Sequence, residues 1–202
     1  MIASESNPAP ATSFACAEVR GGNGTIHAQV TLPGLRGVLY SRPCAGASGG
    51  DIHYLSVCGS GLLARVCLAD VAGHGTAVSA VGAEMHAHLR RSVDVIDERK
   101  VLDRLNRRLN KKGAAVMTTA VLATYYPPRR RLTVSYAGHP AGWLFRAETG
   151  AWEFCSSRSG SASRSSVTIN SSAGIRQVRR FENPPPFAIV LGTLAGTRRH
   201  RA

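Results

Sequence analysis

Two aspartates bound an otherwise apolar segment, GGDIHYLSVCGSGLLARVCLADVAGHG, at residues 49–75. Asp51 follows two glycines, and Asp70 precedes the glycine-containing run VAGHG. Between them, Gly59-Ser60-Gly61 is typical of a hairpin turn flanked by apolar strands. A hairpin folded about residues 60 and 61 would place Asp51 and Asp70 almost opposite each other at its open end.

Opposed carboxylates on neighbouring strands predict a cation site. Their Cβ atoms would lie about 4.5 to 5.5 Å apart, where two carboxylates repel each other unless a proton or a cation lies between them. Oxygen ligands suit Mg²⁺ or Mn²⁺ rather than Zn²⁺, and the neighbouring glycines allow backbone carbonyls and water to approach closely. The alternative is that Asp51 and Asp70 are turn and cap residues, because Asp beside Gly is common in loops.

The composition is that of a folded, strongly basic protein. A chain of 202 residues can form one well-packed domain, and 44% hydrophobic residues argue against wholesale disorder. The net charge of +13 favours an anionic partner: nucleic acid, an acidic membrane surface or a phosphorylated protein. Nucleic acid is disfavoured, because the arginines lie in turns and a serine-rich tail, without an aromatic-basic platform or a helix-turn-helix pattern.

Membrane insertion and zinc binding are not indicated. The sequence has no apolar run of about eighteen residues or more, and its amino terminus lacks a secretory signal pattern, so we expect a cytoplasmic protein. The five cysteines are odd in number and show no C-x-x-C spacing, which argues against a disulfide framework and a zinc site.

Periodicity predicts strands, then two helices, then more strands. One helix begins at Thr76 as N-cap, and the second has Asp97 and Glu98 at its start and Gly113 in the C-cap position. This order predicts an α+β fold with helices packed on antiparallel sheets. The predicted strands are residues 25–32, 38–40, 52–57, 62–68, 116–126, 132–136, 143–145 and 152–154.

The chain divides into three segments by composition. Residues 1–20 are expected to be a loosely ordered lead-in, with a Pro-Ala-Pro interruption and weak periodicity. Residues 21–155 contain the predicted strands and helices and form the expected domain. Residues 156–202 are rich in serine and arginine and begin with a stretch that is typical of a flexible segment.

Several ordered motifs resemble one enzyme family. GGD, then ADVAGHG, a helix, LNRRLN, TTAVLATYYPPRRRLTVSYAGHP and an aromatic strand resemble the PPM-type serine/threonine protein phosphatases, in the bacterial branch of sporulation-stage-II-E and sigma-factor-regulator phosphatases. The resemblance covers about residues 36–154. It implies an α-β-β-α sandwich of antiparallel sheets flanked by helices, with two Mn²⁺ or Mg²⁺ ions at one edge of the sheets.

The resemblance also implies roles for particular residues. Asp51 would be a metal ligand, Asp70 would bridge the two ions, and the backbone carbonyl of Val71 would complete one coordination sphere. A water acidified by the ions would attack a phosphoserine or phosphothreonine in line. His74 is a candidate general acid, with helix capping or a loop hydrogen bond as the alternative.

Other polar residues in these motifs have weaker functional interpretations. His139 could shape the loop beside the site, but we expect it to be a turn residue without a catalytic role. We expect Thr118 and Thr119 to lie on a sheet face near the helices rather than at a reacting centre. Arginines of the PPRRR turn, like Arg36 and Arg42, could hold substrate phosphate, although turn arginines are commonly solvated.

The sequence departs from the family pattern at two places. Tyr54 stands where members usually have an acidic residue. Members also supply another metal-binding aspartate from a T/S-D-G turn near the end of the domain, whereas this sequence has no aspartate after Asp103. The domain is therefore expected to be C-terminally incomplete or altered in its last third, and one metal ion would be held weakly.

Two functions follow from the resemblance. The first is a metal-dependent phosphatase domain that acts on a phosphorylated signalling protein, such as an anti-sigma-factor antagonist. The second is a catalytically weak or inactive relative that binds a phosphoprotein as a regulator. Metal-dependent turnover would distinguish the two.

Overall fold

The computed structural model describes residues 9–43, 47–73, 75–111, 118–146, 149–155, 177–181 and 187–191. Within these residues the chain forms twelve strands and two helices. The strands are β1 (Ala9–Ser13), β2 (Val19–Gly24), β3 (Ile26–Leu32), β4 (Leu35–Ser41), β5 (Ser48–Val57), β6 (Ala64–Val71), β7 (Thr118–Tyr126), β8 (Arg131–Ala137), β9 (Trp143–Arg146), β10 (Ala151–Phe154), β11 (Gln177–Phe181) and β12 (Phe187–Val190). The helices are α1 (Thr76–Arg91) and α2 (Glu98–Lys111).

A six-stranded antiparallel sheet forms the centre of the fold. Its strand order is β11-β8-β7-β6-β5-β2. Strands β5 to β7 are buried over most of their length, as expected for strands that are covered on both faces. The 3₁₀ turn Pro127–Arg129 joins β7 to β8, and Arg130 adopts a left-handed conformation with φ 43°, in agreement with the turn predicted at PPRRR.

Both helices pack on one face of this sheet. The apolar core between them contains Ile52 and Leu122 from the sheet, Met85 from α1 and Leu105 from α2. The predicted N-cap at Thr76 is wrong by one position: Thr76 is the first helical residue, Gly75 holds the N-cap position with φ 69°, and no side chain caps the helix. Glycine is suited to this positive φ because it has no Cβ.

Two three-stranded sheets cover the opposite face. Sheet β1-β3-β4 packs against β5 and β6 through a core that includes Leu32 and Leu55, and sheet β10-β9-β12 packs against β7 and β8 through a core that includes Val121 and Leu144. Among the described strands, all pairings are antiparallel except that of β1 with β3. The structure thus confirms the α+β class, with antiparallel sheets stacked face to face and two helices packed on one side.

The described chain extends beyond the strands that periodicity predicts. Strand β1 and the first two residues of β2 lie within the segment expected to be a loosely ordered lead-in, and β11 and β12 lie within residues 156–202. Each of these strands pairs with a strand of the expected domain, respectively β3, β5, β8 and β9. Long-range pairing of this kind leaves little local signal in a sequence. The three-segment division stays a prediction.

Helix α2 ends at Lys111, and the predicted C-cap Gly113 lies outside the described residues. Across the described part of the chain, neither helix is long and apolar enough to span a membrane.

Candidate functional site

Asp51 and Asp70 are directly paired on neighbouring antiparallel strands. The register of β5 and β6 places Asp51 opposite Asp70 and Val57 opposite Ala64, so the hairpin is centred between residues 60 and 61, as its turn sequence predicts. Gly61 adopts φ 72° in that turn, a conformation that favours glycine. The spacing between the two aspartates therefore brings two carboxylates to the open end of the hairpin.

The backbone carbonyl of Val71 lies beside this pair because Gly50 permits a close approach of the two strands. A Cβ atom at Gly50 would lie 2.6 Å from the Val71 carbonyl oxygen and 3.6 Å from Oδ1 of Asp70. A side chain at position 50 would therefore displace the backbone or fill the space beside these oxygens. The three sequence-predicted ligands, Asp51, Asp70 and Val71, are thus brought together at one end of β5 and β6.

The two carboxylates impose an electrostatic cost on the protein alone. Asp51 is half-buried and Asp70 is exposed. Although part of its side chain is exposed, the pKa of Asp70 is raised above its usual value, first because neighbouring atoms remove some of its water and second because Asp51 carries a like charge. Neither carboxylate has an ion-pair partner among the described residues. A bound cation would relieve the repulsion between them.

These donors fit a hard divalent cation. Carboxylate and carbonyl oxygens are the ligands that Mg²⁺ and Mn²⁺ prefer, and Mg²⁺ commonly retains several waters beside one or two carboxylates. In the part of the chain that the structure describes, no cluster of three or more His, Cys, Asp or Glu side chains could hold a metal. Backbone oxygen and water would therefore have to complete the coordination around Asp51 and Asp70.

Thr119 and His139 extend this row of polar groups across the sheet. Thr119 of β7 pairs with Asp70 of β6. Its Oγ1 lies 3.1 Å from Nδ1 of the buried His139. The expectation that both threonines lie near the helices holds only for buried Thr118, which pairs with the helix-side residue Val71. Thr119 lies on the other face because successive strand residues point to opposite sides.

A cavity of about 450 Å³ opens beside Asp51 on the face opposite the helices. Its lining includes Tyr40, Arg42, Asp51, His53 and Leu191. His53 is only 6% exposed, and its Nδ1 has no hydrogen-bond partner among the described residues. Burial lowers the pKa of His53, which favours a neutral ring. The cavity thus combines one cationic side chain, one polar ring and apolar walls next to a candidate ligand.

The remaining sequence candidates are placed differently. His74 lies outside the described residues. The arginines of the PPRRR turn follow Tyr126, at the far end of β7 from Thr119, and Arg36 does not line the cavity. Arg42 is therefore the candidate phosphate-holding arginine that lies near Asp51.

Tyr54, where the family pattern has an acidic residue, serves packing in this chain. Its hydroxyl donates a hydrogen bond to the carbonyl of Gly82 in α1 at 2.8 Å, and burial raises the pKa of Tyr54 to about 12. Tyr54 belongs to the helix-side core. The ring therefore lies on the opposite face from Asp51 and joins the sheet to α1.

Sequence reasoning missed a buried arginine at the other end of β6, with a buried glutamate near it. Arg65 is 1% exposed and donates hydrogen bonds to Oγ1 of Thr124 and to the carbonyls of Ser92 and Val95. Glu98, also buried, interacts electrostatically with Arg65. The sequence feature that could have indicated it is a single arginine within the apolar run of β6. Arg65 fastens the turn between α1 and α2 to the strand that carries Asp70.

Comparison with known proteins agrees with this fold. A family model described as stage II sporulation protein E matches residues 62–160. No curated protein matches the sequence. Among solved structures, RsbX in complex with magnesium matches with a TM-score of 0.57 and 13% identity, over 86% of this chain and 70% of that chain.

Two longer proteins also share the fold. The RsbU and RsbW domains of Rv1364c from Mycobacterium tuberculosis match with a TM-score of 0.58 and 19% identity, over 84% of this chain and 43% of that chain. The PP2C phosphatase domain with a regulatory fragment of SpoIIE from Bacillus subtilis matches with a TM-score of 0.56 and 15% identity, over 86% of this chain and 44% of that chain. The chain thus spans less than half the length of these two structures.

Proposed function

We propose that this chain, which matches the family model of stage II sporulation protein E and shares its fold with RsbX and the SpoIIE phosphatase domain, is a metal-dependent protein phosphatase domain of the PPM type. The observation that carries the proposal is the direct opposition of Asp51 and Asp70. The two carboxylates have no ion-pair partner in the described part of the chain and lie on adjacent strands, with the Val71 carbonyl beside them. A bound cation would reduce the repulsion between them and use these oxygens as ligands.

Each residue of the site would contribute a separate property. Asp51, Asp70 and the Val71 carbonyl would hold Mg²⁺ or Mn²⁺. Such an ion supplies positive charge to a phosphate ester and acidifies water in a phosphatase of this kind. Arg42 would orient a substrate phosphate, since a guanidinium donates paired hydrogen bonds to phosphate oxygens. The cavity beside Asp51 would receive the neighbouring part of the substrate. His74 is proposed as the group that protonates the leaving hydroxyl.

The substrate class is inferred from the similarity to this family. We propose that the chain removes phosphate from phosphoserine or phosphothreonine in a signalling protein, such as an anti-sigma-factor antagonist. The net charge of +13 favours encounter with such an acidic partner. A cytoplasmic location remains a prediction.

The proposal is tested by manganese-dependent phosphate release from a phosphoserine peptide. Wild-type protein is compared with Asp70→Asn, which keeps the size of the side chain and removes its charge. Asp103→Asn serves as the matched control, because Asp103 lies on α2 in an exposed ion pair with Arg107. We expect turnover to be lost in Asp70→Asn and retained in Asp103→Asn. Equal rates in all three proteins would contradict catalysis at this site.

A binding-only relative is the second candidate. It is favoured by the small number of acidic ligands: within the described residues, Asp51 and Asp70 have no third His, Cys, Asp or Glu beside them that could complete a metal cluster. This candidate predicts that the phosphopeptide binds without being hydrolysed at any manganese concentration. Fluorescence anisotropy of a labelled phosphopeptide, measured beside the phosphate assay, separates the two functions.

A further inference from the structure

A second charged feature lies on the helix layer, away from Asp51 and Asp70. Helices α1 and α2 border a cavity of about 480 Å³. We call it the basic groove. Its lining consists of Ser92 and six basic side chains: His88, Arg91, Arg104, Arg107, Arg108 and Lys111. This volume falls within the usual range of small-ligand sites, about 300 to 1,000 Å³.

The cations of the basic groove converge from two helices because the helices lie side by side in opposite directions. His88 Nε2 lies 2.8 Å from the Val101 carbonyl, and Arg108 bonds to Glu84 of α1 at 2.6 Å. The four basic residues of α2 follow the spacing i, i+3, i+4, i+7, which places them on one stripe of the helix. They are Arg104, Arg107, Arg108 and Lys111.

The basic groove holds more positive charge than the described residues neutralise. Arg107 pairs with Asp103 at 2.8 Å, and Arg108 pairs with Glu84. The other three cations, Arg91, Arg104 and Lys111, have no ion-pair partner among the described residues. The positive field also reaches buried His88, whose pKa is lowered chiefly by burial and further by Arg108, Arg104 and Arg91.

From this geometry we propose that the basic groove binds a compact ligand that carries several phosphate groups. Three unpaired cations around one cavity match two or more closely spaced phosphates better than a single carboxylate. Arginine supplies most of them, and its planar fork binds phosphate oxygens in pairs. Inorganic oligophosphates and nucleoside polyphosphates share this chemistry. The proposal does not depend on phosphatase activity, because none of the groove residues belongs to the aspartate site.

The test is calorimetric titration of the full chain with tripolyphosphate and, separately, with ATP, after removal of divalent ions by a chelator. The groove variant is Arg104→Glu/Lys111→Glu. The control is Arg99→Glu/Lys100→Glu, which makes the same charge change at exposed positions of α2 outside the basic groove. Circular dichroism spectra of all three proteins serve to check that each is folded.

We expect tripolyphosphate affinity to fall by about tenfold or more in the groove variant, since each charged hydrogen bond is worth more than the equivalent of a tenfold change. The control should change far less. Tighter binding of ATP than of tripolyphosphate would identify a nucleoside polyphosphate as the ligand class, and equal binding would identify the oligophosphate. Absence of binding by the wild type, or equal loss in both variants, would overturn the proposal in favour of a diffuse surface field.

Discussion

Asp51 of β5 and Asp70 of β6 lie directly opposite each other in the central sheet. Because the pairing register, and not only a loop conformation, holds them together, their mutual repulsion persists as long as the two strands are paired. A cation that binds both carboxylates therefore binds the folded state in preference to the unfolded chain. Because of this coupling, metal binding can be measured as an increase in the stability of the folded protein.

We expect Mn²⁺ or Mg²⁺ to raise the melting temperature of the wild-type protein. A ligand at a hundredfold excess over its Kd stabilises by about 2.7 kcal/mol, and each kcal/mol corresponds to roughly 2 to 4 °C in a domain of this size. Asp51→Asn and Asp70→Asn should each remove most of the shift. Differential scanning fluorimetry with and without metal measures it. If either variant retained the full metal-induced rise in melting temperature, the ion would bind at another site.

Gly50→Ala tests the close approach of β5 to the Val71 carbonyl. The new Cβ would lie 2.6 Å from that oxygen, so the backbone must move, at a cost of about 1 to 3 kcal/mol. We also expect the metal-induced melting shift to fall. Gly22→Ala is the matched control, because a Cβ there meets no atom within 4 Å. Urea unfolding and the metal titration should separate the two variants, and similar behaviour would contradict this packing.

Removal of Arg65 should destabilise the fold strongly. Arg65→Met leaves the carbonyls of buried Ser92 and half-buried Val95 without their donor, at about 1 to 3 kcal/mol for each unsatisfied acceptor, and removes the opposite charge near buried Glu98. The free energy of unfolding in urea measures this. The double variant Arg65→Met/Glu98→Gln should recover part of the loss, because the uncompensated charge is gone. Additive losses from the two changes would mean that Arg65 and Glu98 do not interact.

His88 predicts a loss of stability at mildly acidic pH. Burial, with the positive field of Arg108, Arg104 and Arg91, lowers its pKa below the ordinary value of 6.5, although the bond to the Val101 carbonyl opposes the shift. The unfolded chain therefore takes up the proton first. The contribution of His88 to stability is complete above pH 6.5 and declines as pH falls below that value towards the folded-state pKa.

Urea unfolding at about pH 7.5 and about pH 5.5 brackets this transition. His88→Gln should show a smaller decrease in unfolding free energy between the two conditions than the wild type shows. His27→Gln, at an exposed position of β3, is the control and should retain the wild-type decrease. An unchanged decrease in His88→Gln would assign the acid sensitivity to other groups.

Local sequence predicted the features whose contacts are close along the chain. The turn at Gly59-Ser60-Gly61 and the apolar runs around it predict the opposition of Asp51 and Asp70, since a hairpin register follows from its turn. The 3.6-residue period of leucines predicts α2, and the order of elements predicts the α+β class. The motif resemblance predicted the family whose model matches residues 62–160.

Tertiary structure decided which distant residues join these local elements. The pairing of β2 with β5 and of β11 with β8, the position of Thr119 beside Asp70 and of His139 beside Thr119, and the burial of Arg65 all depend on contacts between segments far apart in sequence. Convergence of Arg91 with the cations of α2 likewise requires the two helices to pack side by side. Such contacts form because separate apolar faces must share one core, a condition that no short stretch of sequence expresses alone.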